Sequence, residues 1–165
     1  MAELVLVRVD ERLIHGCVCA TWAPTKQATQ IIAVDDVMAK DAFVSSIMIS
    51  SGNSASGAKC SILTMDDAIA KWNSDKFGDG KVLLVFKSVV DACKAIKNGI
   101  AFDELQLGWT NPGADRVKIN NSLNLSSNDV ELVRDVVKEN NIKAYIQYSL
   151  QFDAVPFEDG IKGKF

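Results

Sequence analysis

From one end to the other, the chain alternates between short runs rich in β-branched residues and longer stretches with helical spacing. The runs are Leu4–Val9, Ile31–Val34, Ser61–Leu63, Val82–Phe86, Leu105–Leu107 and Ala144–Ile146. Between most of them, apolar residues recur near the 3.6-residue period. Val37, Val44, Ile47 and Met48 share one helical face, and so do Val130, Val133, Val136 and Val137. Parallel neighbours cannot be joined by a tight hairpin, so each strand needs a crossover long enough to bring the chain back, and a helix supplies it. The pattern predicts an α/β fold with a single doubly wound, mostly parallel β-sheet and helices on both faces. Ligands in such sheets bind beyond the carboxyl ends of the strands, where the strand order reverses. The loop Asp10–Ile14 follows the first run directly.

Local signals agree with this alternation. Thr64 precedes Asp67 by three positions, Ser88 precedes Asp91 by three and Ser126 precedes Asp129 by three, each resembling a helix-capping pair. Gly99 is placed to terminate the helix over Val89–Lys97, and Pro24 is expected to end a short helix after His15. The Ser- and Gly-rich stretch Ser50–Gly57 reads as a flexible surface loop. Thr110–Leu125 reads as irregular, with a turn at Asn-Pro-Gly 111–113 and a short strand of open direction at Ser122–Leu125.

With 165 residues there is length for one compact domain spanning 1–165 and little for a second core. A net charge of −3 offers no basic stripe for neutralising phosphates along a polymer, so nucleic acid is not an expected partner. Val82–Phe86 and similar apolar runs are far below the roughly 20 residues that cross a bilayer. Glu3 directly before the first apolar run is unlike a secretory leader, and a cytoplasmic location is expected. Cys17, Cys19, Cys60 and Cys93 lack paired spacing, and one histidine cannot complete a common Cys/His zinc cluster. Reduced, mostly buried thiols and no bound metal are the expectation.

Two nucleotide-binding patterns fall short. In Gly52–Lys59, GNSASGAK, one residue too many separates the second glycine from lysine, and the stretch enters a strand where a P-loop would leave one. Asp35, at the end of the second run, is placed to bond a ribose in a dinucleotide fold. The first turn, however, offers Gly16 alone where a glycine-rich pattern is needed, and helix capping explains Asp35 as well. A small-ligand or dinucleotide-binding module without phosphotransfer activity remains the alternative function. A His-x-Gly-His nucleotidyl-transfer loop needs a second histidine that the chain lacks.

The loop after the first run, RVDERLIHG (Arg8–Gly16), holds the chain's one histidine among two arginines and two carboxylates. At the start of a helix, backbone N–H groups and positive partial charge favour an anion and disfavour imidazolium. The neutral ring keeps a lone pair for attack on phosphorus. Phosphoryl transfer spreads charge over three equatorial oxygens, and the planar fork of Arg12 suits two of them. Asp10 is placed to orient the imidazole or Arg12. These residues suggest His15 as a phosphoryl acceptor and donor, with Arg12 and Asp10 assisting. Lys87 and Ser88, after the fourth run, would face the same crevice, or act simply as an exposed lysine and a helix cap.

RVDERLIHG closely resembles the phosphohistidine loop Arg-x-Asp-x-Arg-Leu-Ile-His-Gly of the mannose/fructose/sorbose-family enzyme IIB components of the bacterial sugar phosphotransferase system. The resemblance takes in IIAVDD at 31–36, VLLVFKS at 82–88 and LQLGW at 105–109, and so extends over nearly the whole chain. It implies a cytoplasmic phosphotransferase, peripherally associated with membrane subunits. That protein takes a phosphoryl group from a IIA phosphohistidine and passes it to a sugar entering through membrane IIC and IID partners. His15 matches the residue phosphorylated on Nδ1, and Arg8, Asp10, Arg12 and Gly16 match the surrounding loop. No cofactor is implied. Two departures stand out: Cys17 where the family commonly has glutamine, and GWTNPGADR at 108–116 in place of a Gly-x-Met-type segment.

Overall fold

The computed structural model describes residues 1–165. Its strands are β1 (Glu3–Asp10), β2 (Gln30–Val34), β3 (Lys59–Leu63), β4 (Lys81–Phe86), β5 (Glu104–Trp109), β6 (Arg116–Lys118), β7 (Asn124–Ser126), β8 (Lys143–Ile146) and β9 (Val155–Pro156). Its helices are α1 (Ala23–Thr25), α2 (Asp36–Lys40), α3 (Ala42–Ser56), α4 (Met65–Asp75), α5 (Val89–Lys97), α6 (Ser127–Asn140) and α7 (Phe157–Ile161), with a π-helical turn, Cys17–Trp22, running into α1. The main sheet has the order β3-β2-β4-β1-β5-β8-β9 and is parallel except for β9; β6 and β7 form a separate antiparallel pair.

The sheet separates two cores. One holds Val7 and Val9 of β1 together with residues of α4, α5, α6 and α7, such as Trp72, Val89, Val133 and Phe157. The other holds Leu6 with Leu13, Ile14, Val18 and Trp22, and Met48 and Ile49 of α3 pack against it. β1 therefore sends the chain to one face, while β4 and β5 on either side of it send theirs to the other. A crevice opens at such a reversal, and it lies at Asp10, where β1 ends.

Helix boundaries follow from side-chain caps. Thr64, Ser88 and Ser126 each accept a hydrogen bond from the backbone N–H three residues on, and Asp129 returns the favour to Ser126 in a full capping box. Gly99, at φ +97°, stands two residues past α5.

Three expectations from the sequence are corrected. Pro24 does not stand at the end of a helix but inside the run that continues from Cys17–Trp22 into α1, which stops one residue beyond it at Thr25. Ser50–Gly57 is not a loop, because α3 runs through Ser56 and is closed by Gly57 at φ +69°. Val37, Val44, Ile47 and Met48 do not share one helix: Val37 lies in α2 and the other three in α3, which Asp41 caps, and Val37 and Ile47 remain 73% and 52% exposed. Of the four, Met48 packs against the second core, joined there by Ile49. Ser122–Leu125 does include a short strand, β7, antiparallel to β6.

Small residues are needed in α3 for a steric reason. A Cβ on Gly52 would stand 2.5 Å from Ile14 Cγ2 and 2.8 Å from Cys60 Sγ, so α3 seats against the anchor of the His15 loop only through a glycine. Gly52→Val is expected to lower stability by about 1–3 kcal/mol through overpacking, read as a shift in the urea midpoint. An unchanged midpoint would show that α3 does not bear on Ile14.

Candidate active site

Alternation along β1 places Leu6, Arg8 and Asp10 on one side of the strand, and both charged groups are fully buried. Arg8 uses every N–H it has. Nε and Nη2 donate to Asp10 Oδ2 at 3.2 and 3.1 Å, Nη1 donates to Gln106 Oε1 and to the Gln147 carbonyl, and Nη2 also donates to the Tyr148 carbonyl at 2.9 Å. The guanidinium crosses β5 directly over Gly108, where a Cβ would meet Arg8 Cζ at 2.0 Å. Glycine in LQLGW makes that crossing possible. The reading that put Arg8 in the phosphate loop is revised accordingly: it lies beneath the loop, with no donor free.

Asp10 gathers the remaining groups. Its Oδ1 accepts from the Arg12 backbone N–H and Nε, each at 3.1 Å, and its Oδ2 accepts from Arg12 Nη2 at 3.1 Å. His15 Nε2 lies 3.0 Å from the same Oδ2. That contact is close enough for an ion pair but poorly aligned for N–H donation, and Nε2, itself buried, has no other partner. Burial pushes the Asp10 carboxyl up, but contacts with His15, Arg12 and Arg8 outweigh it and hold the group down at about 2. Burial also pulls Arg8 below its ordinary value, with Asp10 opposing.

A tight turn carries the histidine. Leu13 N–H donates to the Asp10 carbonyl at 3.0 Å, and Leu13 adopts φ +57°, an uncommon conformation for a branched residue. Leu13 and Ile14 are buried in the second core and hold the turn from below. His15 stands above them, its side chain 16% exposed. Its Nδ1 accepts the Cys17 N–H at 3.3 Å, which makes Nδ1 the lone-pair nitrogen and places the ring proton on Nε2, facing Asp10. Gly16 has no heavy atom within 4 Å of where its Cβ would be, so the backbone next to His15 faces open space on that side.

Some groups escaped the sequence reading. Arg12 is held between two aromatic rings, its Cζ 4.5 Å from the Trp109 centroid and 5.4 Å from that of Tyr148. Nε and Nη2 are spent on Asp10, the Tyr148 phenol supports the guanidinium charge, and the side chain is 29% exposed. The Tyr148 carbonyl accepts from Arg8, from Trp22 Nε1 at 3.3 Å and from Cys17 Sγ at 3.6 Å, tying the segment after β8 to the histidine loop. Glu11 binds Arg116 and Asn111, which fastens the TNPGADR segment to the same loop. Gln106 and Trp109 both belong to LQLGW, but nothing local marks them, Gln147 or Tyr148 as neighbours of Arg8 and Arg12.

The expected crevice residues are elsewhere on the rim. Asp35 caps α2 through Met38 N–H at 2.8 Å and pairs with Lys87 Nζ at 3.5 Å. Ser88 caps α5 and donates to Asp91 at 2.7 Å. Neither hydrogen bonds nor ion pairs link these three to Asp10, Arg12 or His15. The chain contains no group of three His, Cys, Asp or Glu residues suited to a metal ion.

Residues 4–157 match the family described as PTS system sorbose subfamily IIB component. The chain belongs to that family. It is thus a phosphotransferase of a sugar-uptake system, built as a IIB component. The sorbose-specific EIIB component of Lacticaseibacillus casei is 29% identical over 133 residues, covering 81% of this chain and 80% of the relative. The N-acetylgalactosamine-specific phosphotransferase enzyme IIB component 2 of Escherichia coli is 24% identical over 155 residues, covering 89% and 91%. The crystal structure of manxB from Thermoanaerobacter tengcongensis superposes with a TM-score of 0.91 at 25% identity, over 100% of this chain and 98% of that one. The sugars that give these relatives their names differ, so membership in this IIB family does not by itself select one.

The Asp10 cluster gives this IIB component a testable acid limb. Asp10 is held at about 2, below its ordinary 3.8, so on acidification the unfolded chain takes up this proton first. The stabilisation, about 2 kcal/mol, is complete above the ordinary carboxylate range and is lost as pH falls through about 2. Asp10→Asn removes that limb and leaves the buried Arg8 charge uncompensated, costing about 3–5 kcal/mol. Urea titrations of both proteins between neutral pH and pH 2 check this; parallel pH profiles would contradict it.

Proposed function

We propose that His15 accepts a phosphoryl group on Nδ1 from a phosphohistidine of a IIA partner and transfers it to a sugar entering through membrane IIC and IID subunits. The whole chain, residues 1–165, acts as one IIB domain, cytoplasmic and peripherally associated with those subunits. The observation that carries the reading is the orientation of the ring: Nε2 is turned onto buried Asp10, while Nδ1 carries the lone pair at the start of the Cys17–Trp22 turn. No helix is long and apolar enough to cross a membrane.

In the first half-reaction, the Nδ1 lone pair gives up the Cys17 N–H and forms a bond to phosphorus as the donor's P–N bond breaks. In the second, a sugar hydroxyl oxygen bonds to phosphorus, the P–Nδ1 bond breaks and the imidazole recovers its neutral tautomer. The hydroxyl proton leaves to water, because a carboxylate as acidic as Asp10 is a poor base. Asp10 instead fixes the tautomer and stabilises positive charge on the phosphorylated ring. Arg12, through the part of its guanidinium that Asp10 leaves exposed, neutralises charge on the transferring oxygens. Gly16 leaves room for the phosphoryl group, and Arg8 holds Asp10 in place. No metal or nucleotide takes part. The dinucleotide alternative loses its main support, since Asp35 is engaged by Met38 N–H and Lys87.

The test is transfer of labelled phosphate from phosphoenolpyruvate, through the general phosphotransferase proteins and a phosphorylated IIA, to this chain. Wild type is expected to carry acid-labile label and His15→Gln none, with both proteins folded. Arg12→Lys keeps the charge but loses the fork, and transfer is expected to slow roughly a hundredfold. Label on His15→Gln, or an unchanged rate for Arg12→Lys, would overturn the assignment of that residue.

A further inference from the structure

The rim of the site carries a second feature that phosphoryl chemistry leaves unused. Between Lys143 and Lys162 the charged residues are Asp153, Glu158 and Asp159, all acidic. Arg134 pairs with Glu158, which leaves Asp153 and Asp159 exposed and without an ion pair. The same segment exposes Leu150, Phe152 and Val155, at 50%, 57% and 38%. An acidic and apolar strip therefore runs along the rim, and it is joined to the His15 loop. The Tyr148 carbonyl accepts from Cys17 Sγ and Trp22 Nε1, the Tyr148 ring lies beside Arg12, and the Phe152 ring packs against Tyr148 with centroids 6.1 Å apart.

A cavity of about 490 Å³ opens within this strip, between the β6–β7 turn and the segment after β8. Its wall includes Trp109, Tyr148, Phe152, Asp153 and Asn121, and no lysine, arginine or histidine. The side chains of Asp153 and Asn121 are engaged with nothing else in the chain. Aromatic ring faces attract an ammonium or guanidinium group, and a carboxylate beside them completes its pairing. Trp109 and Tyr148 already hold one guanidinium, that of Arg12, whose charge is paired with Asp10 and which does not line the cavity. The cavity thus suits a lysine or arginine side chain, and the exposed Leu150 and Val155 extend the contact to a protein surface rather than a small cation.

We propose that this strip docks the cytoplasmic face of the membrane subunits, with a Lys or Arg side chain of one of their loops seated in the cavity. Cytoplasmic loops of membrane proteins carry an excess of Lys and Arg, the charge that complements Asp153 and Asp159. A donor protein drawn to the positive His15 loop by acidic groups is instead repelled by the strip. A protein that presents a sugar to His15 must cover the rim around it. An interface of ordinary size takes about 800 Å² and roughly 20 residues on each partner, ample to include the His15 loop and a strip whose Tyr148 touches it. The docking rests on the phosphotransfer reading above, which supplies the membrane partner, and Asp153 and Phe152 have no part in holding the phosphoryl group.

Co-sedimentation of the whole chain with vesicles containing the IIC and IID subunits of its own uptake system tests the docking. Wild type is expected to pellet with them, more weakly as salt is raised, and not with vesicles of the same lipids alone. Asp153→Lys and Phe152→Ala are expected to bind roughly tenfold more weakly, and Asp153→Glu to bind as wild type. Asp153→Lys is expected to take label from IIA at the wild-type rate. No pelleting of wild type with the subunits, equal pelleting with bare lipid, or wild-type affinity in Asp153→Lys and Phe152→Ala would overturn the docking surface. Slower labelling of Asp153→Lys would assign the strip to the IIA partner and likewise overturn it. Failure of wild type to take label from any IIA, with its docking and the loss in Asp153→Lys intact, would instead strike at the phosphotransfer reading.

Discussion

A carboxylate with no exposure to water, shared by two guanidinium groups and an imidazole, is the interaction on which the rest of this molecule depends. Removing Asp10 and Arg8 from water is costly, and such a pair persists only where every remaining donor and acceptor is met. Here they are met from distant parts of the chain. Gln106 reaches in from β5, the carbonyls of Gln147 and Tyr148 from the segment after β8, and Arg12 from the loop itself. Placing those partners requires β1 between β4 and β5 and β8 next to β5, so the strand order and the charge cluster presuppose one another.

The same cluster explains how a short loop can be rigid enough for chemistry. A turn containing a left-handed leucine has little stability of its own. It is held from below by Leu13 and Ile14 in the second core, from within by Asp10 and from the side by the Tyr148 carbonyl. The imidazole is thus supported by two layers of packing and hydrogen bonding, with Nδ1 held only by the Cys17 N–H at 3.3 Å.

Much of this could be read before any coordinates, and what could not has definite physical causes. The strands and the caps at Thr64, Ser88 and Ser126 are written in local residue patterns, and each appears where the pattern put it. The grouping of Arg8 with Asp10 follows from period-two alternation in β1. Composition misled at Ser50–Gly57, because residues that often mark loops also serve where a helix must pack closely, as at Gly52. Periodicity misled at Val37, Val44 and Ile47, because spacing identifies a face but not whether the fold covers it. Tyr148 lies more than a hundred residues beyond Arg12, and only the sheet order brings them together. Asp35, Lys87 and Ser88 lie at the carboxyl ends of strands as expected, yet their side chains bond to helix starts and to one another.

One consequence of the cluster concerns the direction of traffic through the protein. Arg8, Arg12 and Asp10 together carry a single positive charge when the imidazole is neutral. In the proposed reaction a phosphoryl group on Nδ1 brings about two negative charges and leaves one positive charge on the ring, a net change of about −1 that cancels the local sum. The surface that receives the phosphoryl group is then positive and the surface that gives it up close to neutral. A donor protein with an acidic rim is held more strongly before transfer than after it, so the charge that is moved also loosens the encounter that moved it.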